Sequence, residues 1–247
     1  MFSEKNIADS SSREAKFFNN ISSGEYNVLT ETDYNNFLEI VKSEIIEKNR
    51  LDNLQILEAG CGTGIFGRKI LAHLKQKITI TGVDISNNLI GYLRLLKPKN
   101  YVAIHDNIIN QNLFENETFD IIICPFILHH LYKSELEIFV KNSWRWLKSE
   151  GYIIAIEPNG SNPILWISHR IGKIYRAVFR NTKYLSPKET VYSCRFYEKL
   201  FLKSDFMKII VLKIQIKGKL SHLGFGIKIF VALRNHLSRF FGRDRLS

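Results

Sequence analysis

Cysteine is scarce in this chain: Cys61, Cys124 and Cys194 are three residues, an odd number, with no pair at C-x-x-C spacing. That excludes a disulfide framework and a cysteine-built structural zinc site, and it fits a reducing compartment, so a cytoplasmic location is expected. Long apolar runs are missing too. Stretches such as Ile121 to Tyr132 stop well short of the ~18–20 residues that a membrane-crossing helix needs, and Met1 to Arg13 is too polar for a secretory signal. Internal repeats, low-complexity linkers and an obvious domain break are also lacking.

What is present is an ordinary globular composition. The 247 residues are 45% apolar, room for one large α/β domain or two small ones with a substantial core. Lysine and arginine outnumber the acids by 35 to 24. The surplus sits in one place: residues 160–247 hold 18 Lys/Arg against 4 Asp/Glu, leaving 17 against 20 for residues 1–159. A basic segment of this kind suits phosphates, anionic lipids or acidic substrates.

From Leu54 onward, β-rich apolar runs (Gln55–Ala59, Ile78–Ile85, Tyr101–His105, Phe119–Cys124, Gly151–Glu157) alternate with segments of helical spacing (Gly64–Lys75, Ser86–Leu95, Ser134–Leu147). The alternation predicts right-handed βαβ units, hence a Rossmann-like, doubly wound α/β fold with a mostly parallel sheet covered on both faces. Residues 1–50 are polar apart from one amphipathic segment, Tyr34–Ile46, and read as an N-terminal cap. Residues 51–217 form the main domain.

After the fifth strand the pattern changes. Asn162-Pro163 is a helix start, and Ile164, Ile167, Ile171, Ile174 and Val178 make a stripe opposed by His169, Arg170, Lys173, Arg176 and Arg180. Residues 161–194 are therefore expected to form a lid over the carboxyl edge of the sheet. A short helix near Tyr197–Leu202 and an alternating strand at Ile210, Leu212, Ile214 and Ile216 follow. Residues 218–247 are expected to close the chain as a basic amphipathic helix, with Ile227, Phe230, Val231, Leu237 and Phe241 opposite Lys228, Arg234, Arg239 and Arg243.

The most informative segment is Leu57-Glu58-Ala59-Gly60-Cys61-Gly62-Thr63-Gly64, a strand that runs into a glycine-rich turn opening a helix. Glycine allows positive φ there and lets a ligand approach without meeting a Cβ. Gly62 to Gly67 also satisfies G-x-G-x-x-G with Asp84 22 residues on, so a nicotinamide-dependent oxidoreductase is a competing reading.

Read as E-x-G-C-G-T-G, the segment resembles motif I of the class I S-adenosylmethionine (SAM) dependent methyltransferases, and further landmarks follow in order. The resemblance implies SAM as cofactor. Glu58 corresponds to the acid near the cofactor's amino group, and Gly60, Cys61, Gly62, Thr63 and Gly64 to the turn against its amino-acid and ribose portions. Asp84 corresponds to the acid accepting both ribose hydroxyls, with Ile85 beside the adenine. Asp106, with Asn107 next to it, corresponds to the acid that accepts from the adenine amine. Tyr26, in the N-terminal cap, is a candidate to close over the cofactor as N-terminal segments do in this family. The likeness spans about residues 34–217 and leaves the substrate open.

Methyl transfer from a sulfonium is an in-line displacement with an activated leaving group, so alignment and exclusion of water are the protein's main tasks, and no metal is expected. A hydroxyl acceptor gains from a general base, for which His129, His130 and Glu157 are the candidates. Cys124-Pro125-Phe126-Ile127 departs from the Asn/Asp-Pro-Pro-aromatic segment of amino-methylating relatives, which argues against methylation of DNA or protein glutamine. The family's last antiparallel strand is hard to place after Ile216, so the sheet is expected to lack it or to end irregularly. The expected partner is a small-molecule or lipid-linked acceptor. For the basic segment, segregated charge and apolar stripes suit core packing or an anionic membrane surface better than nucleic acid, which would call for interleaved stacking aromatics.

Overall fold

The computed structural model describes residues 4–20, 31–43, 53–74, 77–158, 171, 190, 192–215 and 226–234. Helices α1 (Glu4–Asn19) and α2 (Glu31–Val41) precede an alternating series: β1 (Leu54–Ala59), α3 (Ile65–His73), β2 (Ile78–Asp84), α4 (Asn87–Leu96), β3 (Tyr101–His105) and β4 (Phe119–Pro125). A 3-10 turn (Leu128–His130), α5 (Lys133–Trp146), β5 (Leu147–Pro158), α6 (Cys194–Lys203), β6 (Phe206–Gln215) and β7 (Gly226–Arg234) complete it. The seven strands form one sheet in the order β3-β2-β1-β4-β5-β7-β6. Strands β1 to β5 are mutually parallel, and β7 runs antiparallel to both β5 and β6.

Both faces of this sheet are covered, which is why its strands read as nearly continuous apolar runs. In β4, Ile121 and Ile123 join Ile56, Ile80 and Ile154 under α2 (Phe37, Leu38, Val41) and α3 (Phe66, Ile70). Their neighbours Ile122 and Cys124 join Leu57, Val83 and Ala155 on the other face, under Leu136, Phe139 and Val140 of α5 and Tyr197, Leu200 and Phe201 of α6. Period-two alternation thus sorts one strand into two cores. Local signals set the helix starts: Ser86 accepts from Leu89 N–H (3.3 Å) at α4, and Ser193 from Phe196 N–H (3.3 Å) at α6.

Two expectations at the C-terminal end are corrected. Residues 226–234 are a strand and not part of a helix, and the sheet does have an antiparallel strand beyond Ile216. Ile227, Ile229, Phe230, Val231 and Leu233 put apolar residues on both parities, the pattern of a strand flanked on each side, and this pattern also fits a helical stripe. Pairing decides it: Tyr152–Pro158 lies against Leu233–Ile227, and Phe206–Gln215 against Arg234–Gly226. Strand β5 also starts earlier than expected, at Leu147. The expected lid, 161–194, and Tyr26 lie almost wholly outside the described residues. No helix among the described residues is long and apolar enough to cross a membrane.

One close approach inside the fold depends on a missing side chain. Tyr101 crosses from β3 beneath its neighbours, and a Cβ at Gly82 would lie 2.3 Å from its hydroxyl and 2.9 Å from Cys61 Sγ. Gly82→Ala is therefore expected to cost about 1–3 kcal/mol of stability by overpacking, read as a lower urea midpoint. The same change in a Tyr101→Leu background should cost clearly less. Equal costs in both backgrounds would show that Tyr101 is not what limits space there.

Candidate active site

The sheet order reverses between β1 and β4, and open α/β sheets bind ligands in the crevice beyond the carboxyl ends of the strands at such a point. A cavity lies there. Its walls come from each strand end in turn: Gly60 after β1, Asp84 and Ile85 at β2, Asp106, Asn107 and Ile108 after β3, and Phe126, Ile127, His130 and Leu131 after β4. Helix α1 closes it with Ser11, Glu14 and Phe18.

The glycine turn takes its shape from backbone freedom. Gly60, Gly62 and Gly64 have φ of 65°, 51° and 69°. At Gly60 a Cβ would also stand 2.4 Å from Ile127 Cδ1, so the position needs glycine for space as well as for φ. Asp84 then locks the turn: Oδ2 accepts from Gly62 N–H at 2.8 Å and Oδ1 from Ser86 N–H at 2.8 Å. Burial raises the Asp84 pKa, and these two N–H donors oppose the rise. Each carboxylate oxygen keeps a further lone pair, so Asp84 can accept from two vicinal hydroxyls on the cavity side. Asp106 Oδ1 accepts from Asn107 N–H at 2.6 Å, and Asn107 Nδ2 donates to Ser11 Oγ at 3.1 Å. Ribose-type hydroxyls and an adenine-type amine have matching acceptors in this donor set, so the residues fit SAM.

Glu58 lies beneath the glycine turn. It does not line the cavity, and its Oε2 accepts from Gly67 N–H (3.0 Å) in the first turn of α3 and from the Tyr101 hydroxyl (2.5 Å). These contacts make it a brace beneath the turn. Oε1 is buried with no hydrogen-bond partner among the described residues, and burial pushes the carboxyl up to about 7. Cys61 and Thr63 are buried in the turn, with the Cys61 thiol pushed well above its ordinary value by burial.

The three candidate bases separate. Glu157 is fully buried: Oε1 accepts from Leu128 N–H at 2.7 Å, and Oε2 from His129 N–H at 3.3 Å and from His129 Nδ1 at 2.7 Å. Glu157 and His129 therefore form a clip that pins the 3-10 turn to the end of β5, and neither lines the cavity. The clip delivers the next residue, His130, to the cavity wall. There its Nδ1 lies 3.1 Å from Glu14 Oε1 of α1, and its ring meets Phe18 edge-on at 5.1 Å. Sequence reasoning missed Glu14, because nothing in the spacing of α1 says which of its acids meets a residue more than a hundred positions on. It also missed Phe126, held at φ 57° on the cavity wall.

Comparison with known proteins bears on this geometry. Residues 57–153 match the family model described as "Methyltransferase domain". A "Ubiquinone biosynthesis O-methyltransferase" of Rickettsia typhi is 22% identical over 172 residues, covering 67% of this chain and 68% of its own. Among solved structures, the N-methyltransferase NodS of Bradyrhizobium japonicum WM9, crystallised with S-adenosylhomocysteine (SAH), superposes with a TM-score of 0.62 at 14% identity, over 91% of this chain and 98% of its own. The CurJ carbon methyltransferase superposes with a TM-score of 0.60 at 20% identity, over 81% of this chain, which spans about half (54%) of that one. Residues 57–153 therefore match a methyltransferase domain, and the chain shares the fold of methyltransferases such as NodS, which was crystallised with SAH. The relatives methylate oxygen, nitrogen and carbon by name, so the fold alone leaves the accepting atom open.

Two outcomes test the site. Asp84→Ala is expected to weaken SAH binding by about 1.5–3 kcal/mol in calorimetry, the range for hydrogen bonds to a charged group, and unchanged affinity would remove Asp84 from the site. Glu58 gives a stability signature. Its folded pKa is raised, so the folded state holds a proton that the unfolded chain gives up near 4.5, and stability falls as pH rises from there to about 7. Above that range the loss is on the order of 3 kcal/mol, from ~1.4 kcal/mol per pKa unit. In ligand-free protein, Glu58→Gln should flatten this fall in urea midpoints between acid and neutral pH. A variant with the wild-type slope would contradict a raised Glu58.

Proposed function

We propose that this protein transfers a methyl group from SAM to a hydroxyl oxygen of a small-molecule or lipid-linked acceptor, with His130 as general base. The observation that carries the reading is His130 on the cavity wall, with Nδ1 3.1 Å from Glu14 Oε1. A neutral imidazole has one unprotonated ring nitrogen, which can serve as the base. SAM supplies a methyl group on a sulfonium, a leaving group that needs no acid. With the cofactor bound, the acceptor hydroxyl would give its proton to the unprotonated ring nitrogen of His130 as its oxygen takes the methyl group from sulfur. Gly60, Asp84 and Asp106 hold and orient the cofactor, and Phe18, Phe126, Ile127 and Leu131 supply apolar walls that exclude water. The Rickettsia relative, an O-methyltransferase by name, supports oxygen as the accepting atom.

The nicotinamide reading loses ground on two observations. Gly67 lies inside α3, whereas the positive-φ glycines among the described residues are Gly60, Gly62 and Gly64. The antiparallel β7 stands between β5 and β6, where a dinucleotide-binding sheet continues in parallel.

A lipid-linked acceptor presented at an anionic membrane draws its support from the basic surplus of residues 160–247. Each basic residue near such a surface contributes on the order of 1 kcal/mol. Co-sedimentation with anionic but not neutral vesicles, lost at high salt, is the expected result, and protein left in the supernatant throughout would point to a soluble acceptor.

The main test is mass spectrometry of a cell extract incubated with enzyme and methyl-labelled SAM. An O-methylated product is expected, and His130→Ala should reduce labelling by about 10²–10⁴ fold while SAH binding stays unchanged. Labelling on nitrogen or carbon, or full labelling by the variant, would overturn the assignment.

A further inference from the structure

Exposed apolar side chains are not spread evenly over this protein. Six large ones stand exposed among the described residues, and four of them, Tyr92, Leu95, Leu96 and Val102, fall within one short stretch of chain. Helix α4 carries three. Its buried residues are Leu89, Ile90 and Leu93, while Tyr92, Leu95 and Leu96 lie three and four positions apart on another face. Leu95 is 79% exposed, the most of the six. Val102 follows on β3, the free edge of the sheet.

The charge around this face has one sign. From Ile85 to His105 the sequence holds no Asp or Glu, and its Arg94, Lys97 and Lys99 are all exposed. Lys77, exposed just before β2, belongs to the same end of the sheet, because Ile80 N–H donates to Asn100 O there. None of these four basic residues makes an ion pair among the described residues. Strand addition to the free edge is blocked. Asn100 O and Asp106 N–H bond toward β2, so the backbone of Ala103 faces outward, and Arg94 already donates to Ala103 O through Nε (3.1 Å) and Nη2 (2.9 Å). A second copy of the chain would set basic residues against basic residues.

We propose that the end of α4 is a docking surface for an anionic lipid bilayer, with Tyr92, Leu95 and Leu96 entering the headgroup region and Arg94, Lys97 and Lys99 meeting lipid phosphates. Protruding aliphatic side chains among unpaired basic ones suit that surface, whereas a nucleic-acid backbone would use the charges and leave the leucines in water. The surface consists of described residues alone and is independent of residues 160–247. Helix α4 starts at the cavity, beside Asp84, and runs back to the opposite edge of the parallel sheet. Docking here therefore holds the protein at a membrane while the cavity stays open to the aqueous side.

The test uses the full chain with vesicles of phosphatidylcholine alone and with phosphatidylglycerol added. Co-sedimentation only with the anionic vesicles is expected, and Lys97→Glu with Lys99→Glu should lower the partition coefficient by about 30-fold, from roughly fivefold per basic residue lost. An environment-sensitive fluorophore on Leu95→Cys, in a Cys194→Ser background, should shift to the blue on those vesicles. The same label on Lys141→Cys, exposed on α5, should not. All the substituted surface side chains are exposed, so urea midpoints should stay near that of the wild type. Unchanged partitioning of the double variant, or a label at position 95 that remains in water, overturns the proposal and assigns any vesicle binding to another segment. Retention on heparin without vesicle binding would assign the charges to a different polyanion and overturn it equally. Methyl transfer is read separately by labelling, so loss of docking and loss of the proposed function are distinguishable.

Discussion

A buried carboxylate shared between two backbone N–H groups holds this site together. Asp84 binds Gly62 of the glycine turn with one oxygen and Ser86, the cap of α4, with the other. The turn after β1, the end of β2 and the start of α4 are thereby held in one geometry. Ser86 in turn carries Asn19 of α1, so the helix that closes the cavity is positioned by the same residue that shapes its floor. A desolvated carboxylate is tolerable there because hydrogen bonds from two fixed donors stabilise its charged form. A sugar-like ligand with vicinal hydroxyls would use the lone pairs that those donors leave.

The remaining carboxylates show how environment divides labour among chemically alike groups. Glu58, under the turn, is occupied by Gly67 and Tyr101 and is pushed toward its neutral form by burial. Glu157 spends both oxygens on the 3-10 turn and so determines which of two adjacent histidines reaches the cavity. Glu14 brings a carboxylate oxygen to within 3.1 Å of His130 Nδ1 at the wall itself. Moving the same chemical group among three packing environments yields a brace, a clip and a neighbour for an imidazole.

Much of this was legible in the sequence, for a physical reason. Strands β1 to β4 and helices α3 to α5 carry their periods locally: apolar runs between turns, and repeats of three and four after a capping residue such as Ser86. The glycine turn is legible because positive φ and close approach restrict residue choice, and Asp84 and Asp106 because one ends a strand and the other directly follows one. The resemblance to methyltransferases rests on these positions taken in order.

Other features were decided by packing alone. Residues 226–234 carry apolar side chains on both parities, which suits a helix or a flanked strand equally, and the free edge between β5 and β6 selected the strand. His129 and His130 are chemically identical neighbours, and no local pattern says which one Glu157 withdraws from the cavity. The approach of Glu14 to His130 joins residues that chain order keeps far apart, through anchors at Ser11 and Asn19 that only exist once α1 meets the sheet. Local spacing encodes which backbone conformations are cheap, and so the sequence determined the elements and the cofactor turn. Contacts between distant elements carry no such local signature, and so the tertiary structure decided the last strand, the roles of the carboxylates and the histidine that faces the cavity.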